Sequence, residues 1–89
     1  MNNIDLSIII PSFLEEENLR LLLPRLKETL EKTDLNYEVL IIDTISPLDN
    51  AKSVCEECGA LYFNRIENNS YGSAVREGIK NSNKKKEAV

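Results

Sequence analysis

The chain has no histidine and no tryptophan, only two cysteines, three glycines and three prolines, and 6% aromatic residues over 89 positions. Without histidine, His-based triads, His metal ligands and His pH switches are excluded from this sequence. Neither a G-x-G-x-x-G run nor a Walker A lysine loop is present, so dinucleotide and P-loop readings lose their main support. No apolar run of ~18 residues exists, and nothing reads as a membrane span. The opening Met1-Asn2-Asn3-Ile4-Asp5 lacks the basic-then-apolar layout of a signal peptide, so a cytoplasmic location is expected. Basic residues number 11 against 15 acidic ones, a net charge of −4. That balance argues against a nucleic-acid partner held by counterion release.

What remains is ordinary globular composition, 42% hydrophobic and 29% charged, which disfavours disorder, collagen and coiled coil. Residues 1–89 are read as one partial domain. Leu6-Ser7-Ile8-Ile9-Ile10, closed by Pro11, is short, β-branched and nearly all apolar, the signature of a strand buried on both faces. Ser12 and Glu15 have capping-box spacing. Leu19, Leu22, Leu23, Leu26 and Leu30 then form one helical stripe, with a kink or earlier break expected at Pro24. Tyr37 to Ile42 is a second strand ending at Asp43. Ser46 and Pro47 read as the start of a second helix and Gly59 as its stop. Ala60 to Phe63 is a third strand, and a third helix begins near Ser70 with Tyr71, Ala74, Val75, Gly78 and Ile79 on one face. Asn81 to Lys86 reads as a polar turn or linker, and Glu87-Ala88-Val89 as a strand just beginning. The alternation predicts an α/β fold, a Rossmann-like parallel sheet with helices on both faces and a truncated fourth strand.

In such sheets ligands bind beyond the carboxyl ends of the strands. Two loops stand there, Pro11 to Glu15 and Asp43 to Ser46. They offer Glu15 and Asp43 as acceptors for ribose or base donors, and Phe13 as a flat apolar wall. A diphosphate would need a bridging divalent cation, since carboxylates alone repel it. The plainer alternatives stay open: Glu15 as half of a capping box and Asp43 as a loop-closing residue. Cys55-Glu56-Glu57-Cys58 has C-x-x-C spacing, but Ala51, Val54, Cys55 and Cys58 share one stripe, a second pair for zinc is missing, and the motif sits near a helix end. Buried free thiols are expected. Asn68-Asn69-Ser70 is read as a chance glycosylation match, and Lys84-Lys85-Lys86 as a solvated loop.

Leu6 to Leu19, reading LSIIIPSFLEEENL, resembles the opening of family 2 glycosyltransferases, typically I-I-P-x-Y-N-E-x-x-N-I. Tyr37 to Asp43 is similar to their second strand with its terminal aspartate. Ser46-Pro47 and Tyr71 to Ile79 resemble the dolichyl-phosphate mannose synthase-like branch, with D-D-x-S-P-D and G-x-G-S-A-x-x-x-G-I. The resemblance implies the N-terminal part of a GT-A fold, a nucleotide-diphosphate sugar donor, Mg or Mn, and transfer to a membrane-associated polyprenyl phosphate, peripheral to the membrane in the intact enzyme. It assigns Pro11, Phe13 and Glu15 to the nucleotide-sugar pocket, Asp43 to the base or ribose, and Gly72 and Gly78 to close backbone approach.

The departures are specific. Leu14 stands where the family has Asn, Thr44 and Ile45 replace a second acidic residue and its neighbour, and Ser70 replaces a Gly. The family's D-x-D motif follows the fourth strand, and its base lies further on. No catalytic residue and no metal ligand is therefore assigned, no cofactor is expected on this chain alone, and no catalysis is expected from it. With the fourth strand incomplete, Leu6 to Ile10 is expected to be an exposed apolar edge that self-associates or recruits a partner strand. A non-catalytic nucleotide-binding or interaction module completing another chain's sheet is the second reading, and a small flavodoxin-like domain the third.

Overall fold

A computed structural model of the chain describes residues 3–88, with the backbone alone described for 84–88. Seven elements alternate: β1 (Ile4–Pro11), α1 (Glu16–Glu31), β2 (Tyr37–Asp43), α2 (Ala51–Cys58), β3 (Leu61–Asn64), α3 (Tyr71–Asn81) and β4 (Lys84–Ala88). The four strands form one parallel sheet in the order β3-β2-β1-β4. This is the expected Rossmann-like sheet, with the chain running outward through β1, β2 and β3 and returning across β1 to β4.

Strand periodicity of two distributes β2 between two cores. Ile41, with Val39 packed alongside, meets Leu19 and Leu23 of α1 and Ala51, Val54 and Cys55 of α2. Leu40 and Ile42 face the other way with Ile9, against Ala74 of α3. Helices therefore cover both faces, which is why β2 is apolar at every position from Val39 to Ile42. Ser73, Ala74 and Gly78 form the buried face of α3, and a Cβ on Gly78 would collide with the Ile9 side chain. The expected inner stripe holds only in part, since Tyr71 and Ile79 are exposed. Both cysteines are free thiols in or against the core.

The helix starts differ from their local signatures. Ser12 does not cap α1, whose first residue is Glu16, and Ser46 does not cap α2, which begins at Ala51. The two helix starts instead cap each other. The Glu16 N–H donates to Asp49 Oδ2 at 3.1 Å, and the Asn50 N–H donates to Glu16 Oε1 at 2.9 Å. Asp49 Oδ1 also accepts from the Ala51 N–H at 3.1 Å. A cap supplied from another loop satisfies the same orphan amides as a local one. Helix α1 runs unbroken through Pro24, which is exposed, so the carbonyl left without its amide is on the wet side of the helix. Gly59 ends α2 in the left-handed region, φ 76°, and Ser70 caps α3 by accepting from the Ser73 N–H at 3.1 Å.

The edge expected to be bare is covered. β4 pairs with β1 from Ile4↔Lys84 to Ile8↔Ala88, so the open edge that would have recruited a second chain is occupied by Lys84–Ala88, the segment read as linker and strand start. Backbone amides pair without regard to side-chain polarity, so a lysine run can join a ladder. The segment entering β4 is also fixed from below: Glu38 Oε2 accepts from both Ser7 Oγ and the Asn83 N–H. Among the described residues, no helix is long and apolar enough to cross a membrane.

Candidate functional site at the carboxyl edge of the sheet

Three loops meet beyond the carboxyl ends of β1, β2 and β3. Between the first and third lies a cleft of ≈ 320 Å³, bordered by Pro11, Ser12, Phe13 and Glu15 on one side and by Arg65, Asn69 and Tyr71 on the other. The loop after β1 turns sharply because Leu14 takes a positive φ of 55°, a conformation that asparagine tolerates and leucine does not favour. Phe13 and Tyr71 are exposed aromatic side chains on opposite loops of the cleft. The Glu15 carboxylate is half-buried and accepts from Asn18 Nδ2 at 3.1 Å; it makes no capping box with Ser12, whose Oγ has no partner.

Arg65 joins the loops. It is buried, its NH1 donates to the Ser12 carbonyl at 2.8 Å, and its Nε donates to the Ser70 carbonyl at 3.1 Å. The guanidinium therefore ties the end of β1 to the start of α3. Burial lowers the Arg65 pKa, and the nearby Asp43 carboxylate pulls it back up. Both of these hydrogen bonds go to backbone carbonyls rather than to a carboxylate.

Asp43 is brought close to this assembly but not to its surface. It is 1% exposed, its Oδ2 accepts from the Tyr62 hydroxyl at 2.7 Å, and its carbonyl accepts from the Arg65 N–H at 2.9 Å. Asn64 Nδ2 donates to the Tyr62 oxygen at 3.2 Å and to the Thr44 carbonyl at 2.8 Å. Burial, and then the bond to Asp43, pushes the Tyr62 hydroxyl up to about 12. Burial and the same carboxylate push the Cys55 thiol up to about 11, which leaves it a protonated core residue and a poor nucleophile.

Of the four residues singled out from the sequence, Pro11, Phe13 and Glu15 thus line one cleft, while Asp43 lies buried beneath it. From the sequence alone the third loop, Asn64 to Asn69, reads as a polar loop with no site residue assigned to it. Its signal was available: Arg65 directly follows the apolar third strand at the carboxyl edge, one residue past the level at which Asn64 pairs with Asp43. Among the described residues, no group of three His, Cys, Asp or Glu side chains is placed to hold a metal ion. Glu15 and the Tyr62-bonded Asp43 do not amount to a divalent-cation site. A larger cavity of ≈ 460 Å³ opens at the opposite, amino end of the strands between Leu35, Tyr37 and Gly59, away from these loops.

The family described as Glycosyl transferase family 2 matches residues 7–85, which takes in β1 from Ser7 onward and all three carboxyl-edge loops. A dolichol-phosphate mannosyltransferase of Pyrococcus furiosus is 35% identical over 78 residues, covering 83% of this chain and 21% of that protein. The chain accordingly spans about a fifth of the length of that relative. By its strand order, its loop sequences and a match over nearly all of its residues, the chain belongs to glycosyl transferase family 2.

Proposed function

We propose that residues 1–89 seat the nucleotide of a nucleotide-sugar donor in the cleft between the first and third carboxyl-edge loops. One observation carries this reading: Phe13 and Glu15 from one loop converge with Arg65 and Tyr71 from another around a single cleft. The aromatic side chains supply faces for a base, the Glu15 carboxylate accepts from ribose or base donors, and the Arg65 cation compensates the charge of a diphosphate. Asp43 acts from beneath, by holding Tyr62 and the Arg65 backbone, unless the Tyr62 bond opens to release it to the ligand.

Family membership makes the wider reaction glycosyl transfer. For the protein in which this segment operates, a polyprenyl phosphate acceptor at a membrane face is the favoured partner, following the name of the Pyrococcus relative. A divalent cation would supply charge neutralisation of the diphosphate, but the residues described do not fit one, and no step of transfer is assigned to them. The test is a calorimetric titration of the chain with GDP and with UDP. Saturable binding of at least one, weakened about tenfold or more by Phe13→Ala and by Arg65→Met, is the expected result. Absence of saturable binding by either, or equal affinity in both variants, overturns the reading.

A further inference from the structure

Resting on the nucleotide-binding reading, we infer that Ser12 is a ligand contact, its hydroxyl donating to an oxygen of the nucleotide held in the carboxyl-edge cleft. Ser12 is fully buried and borders that cleft. Its backbone is fully employed: the N–H donates to the Ile42 carbonyl at 2.9 Å, and the carbonyl accepts from Arg65 NH1 at 2.8 Å. Its Oγ, by contrast, is the buried side-chain polar atom among the described residues that has no hydrogen-bond partner.

Buried hydroxyls nearly always find a partner, because an unpaired one has lost its water and gained nothing. The usual structural employment for a serine here, capping the following helix, is taken by Asp49, which accepts from the Glu16 N–H. An alanine would fill almost the same space without that cost. The surroundings indicate what the hydroxyl serves. Arg65 and Asn69 bring N–H donors to the same cleft, a setting suited to a ligand rich in acceptor oxygens, as a nucleotide is. Tying Ser12 to Arg65 through its carbonyl also fixes the hydroxyl relative to the cation, so that both meet the ligand as one rigid unit.

A structural hydroxyl and a ligand-facing one respond oppositely to Ser12→Ala, which removes a single atom and leaves the backbone bonds intact. The experiment pairs calorimetric titration of GDP and UDP with thermal melting, on the wild-type and Ser12→Ala chains. The expected result is an affinity about five- to twentyfold weaker for whichever diphosphate the wild type binds, with a Tm unchanged or raised by up to about 4–8 °C. Unchanged affinity alongside normal wild-type binding overturns this inference and leaves the nucleotide reading standing. A clearly lowered Tm gives the hydroxyl a structural role and overturns it as well. If the wild type binds neither nucleotide, the nucleotide reading fails and the role of Ser12 falls with it.

Discussion

Leu14 carries the clearest local strain among the described residues. Its φ of 55° turns the first loop toward the cleft, and an L-residue with a full side chain holds that region at a cost of roughly 1–2 kcal/mol. The side chain is more than half exposed, so little burial is lost on replacing it. Leu14→Asn is expected to raise stability by roughly 0.5–1 kcal/mol, read as a Tm several degrees higher; a lower Tm would show that the exposed leucine contributes more than its backbone costs. The half-buried Tyr62 and the buried Asp43 give a second prediction. Tyr62 and Cys55 hold their protons more tightly folded than unfolded, at about 12 and about 11 against ordinary values of 10.0 and 9.0. Their contribution is therefore complete below pH ~9 and is lost as pH rises from ~9 to ~12. Thermal melts across that range should show stability falling throughout. Tyr62→Phe should flatten the upper part of the fall while lowering stability at neutral pH by about 1–3 kcal/mol, because the Asp43 carboxylate loses its donor. A pH-independent melt contradicts the assignment.

Between elements, the tightest constraint is the crossing of α3 over β1. Ile9 is fully buried and has no room to yield to a Cβ at Gly78. Gly78→Ala is expected to destabilise by about 1–3 kcal/mol despite alanine's better helix propensity. Combining it with Ile9→Ala should cost less than the sum of the two single changes, measured as a double-mutant cycle on denaturant midpoints. Strict additivity would mean that α3 shifts to accommodate the methyl group. The helix starts show where element-level reading of sequence runs out. Gly59 and Ser70 were legible because a left-handed stop and an i+3 cap are local. Ser12 and Ser46 misled because the acceptor for α1 is Asp49, 33 residues away in sequence, and no window along the chain contains both partners.

Over the whole molecule, the parallel sheet and its two helical layers were legible because β2 is apolar on both faces and the helices are not. β4 was legible only at its end, where Glu87 and Ala88 read as a strand beginning: Lys84–Lys86 have no apolar pattern, and their pairing rests on backbone bonds and on Glu38, which holds the Asn83 N–H across the sheet. The candidate cleft was legible on the β1 side, where Pro11, Phe13 and Glu15 resemble a family motif, and dark on the β3 side, where Arg65 bonds two backbone carbonyls that only the fold brings together. If these two sides form one nucleotide seat, an amide NMR titration of the chain with GDP and UDP reads it directly. Saturable shifts confined to Ser12–Glu15 and Arg65–Tyr71 are expected. Shifts centred on Leu35–Glu38 at the other end of the strands, or none at saturating nucleotide, would contradict it.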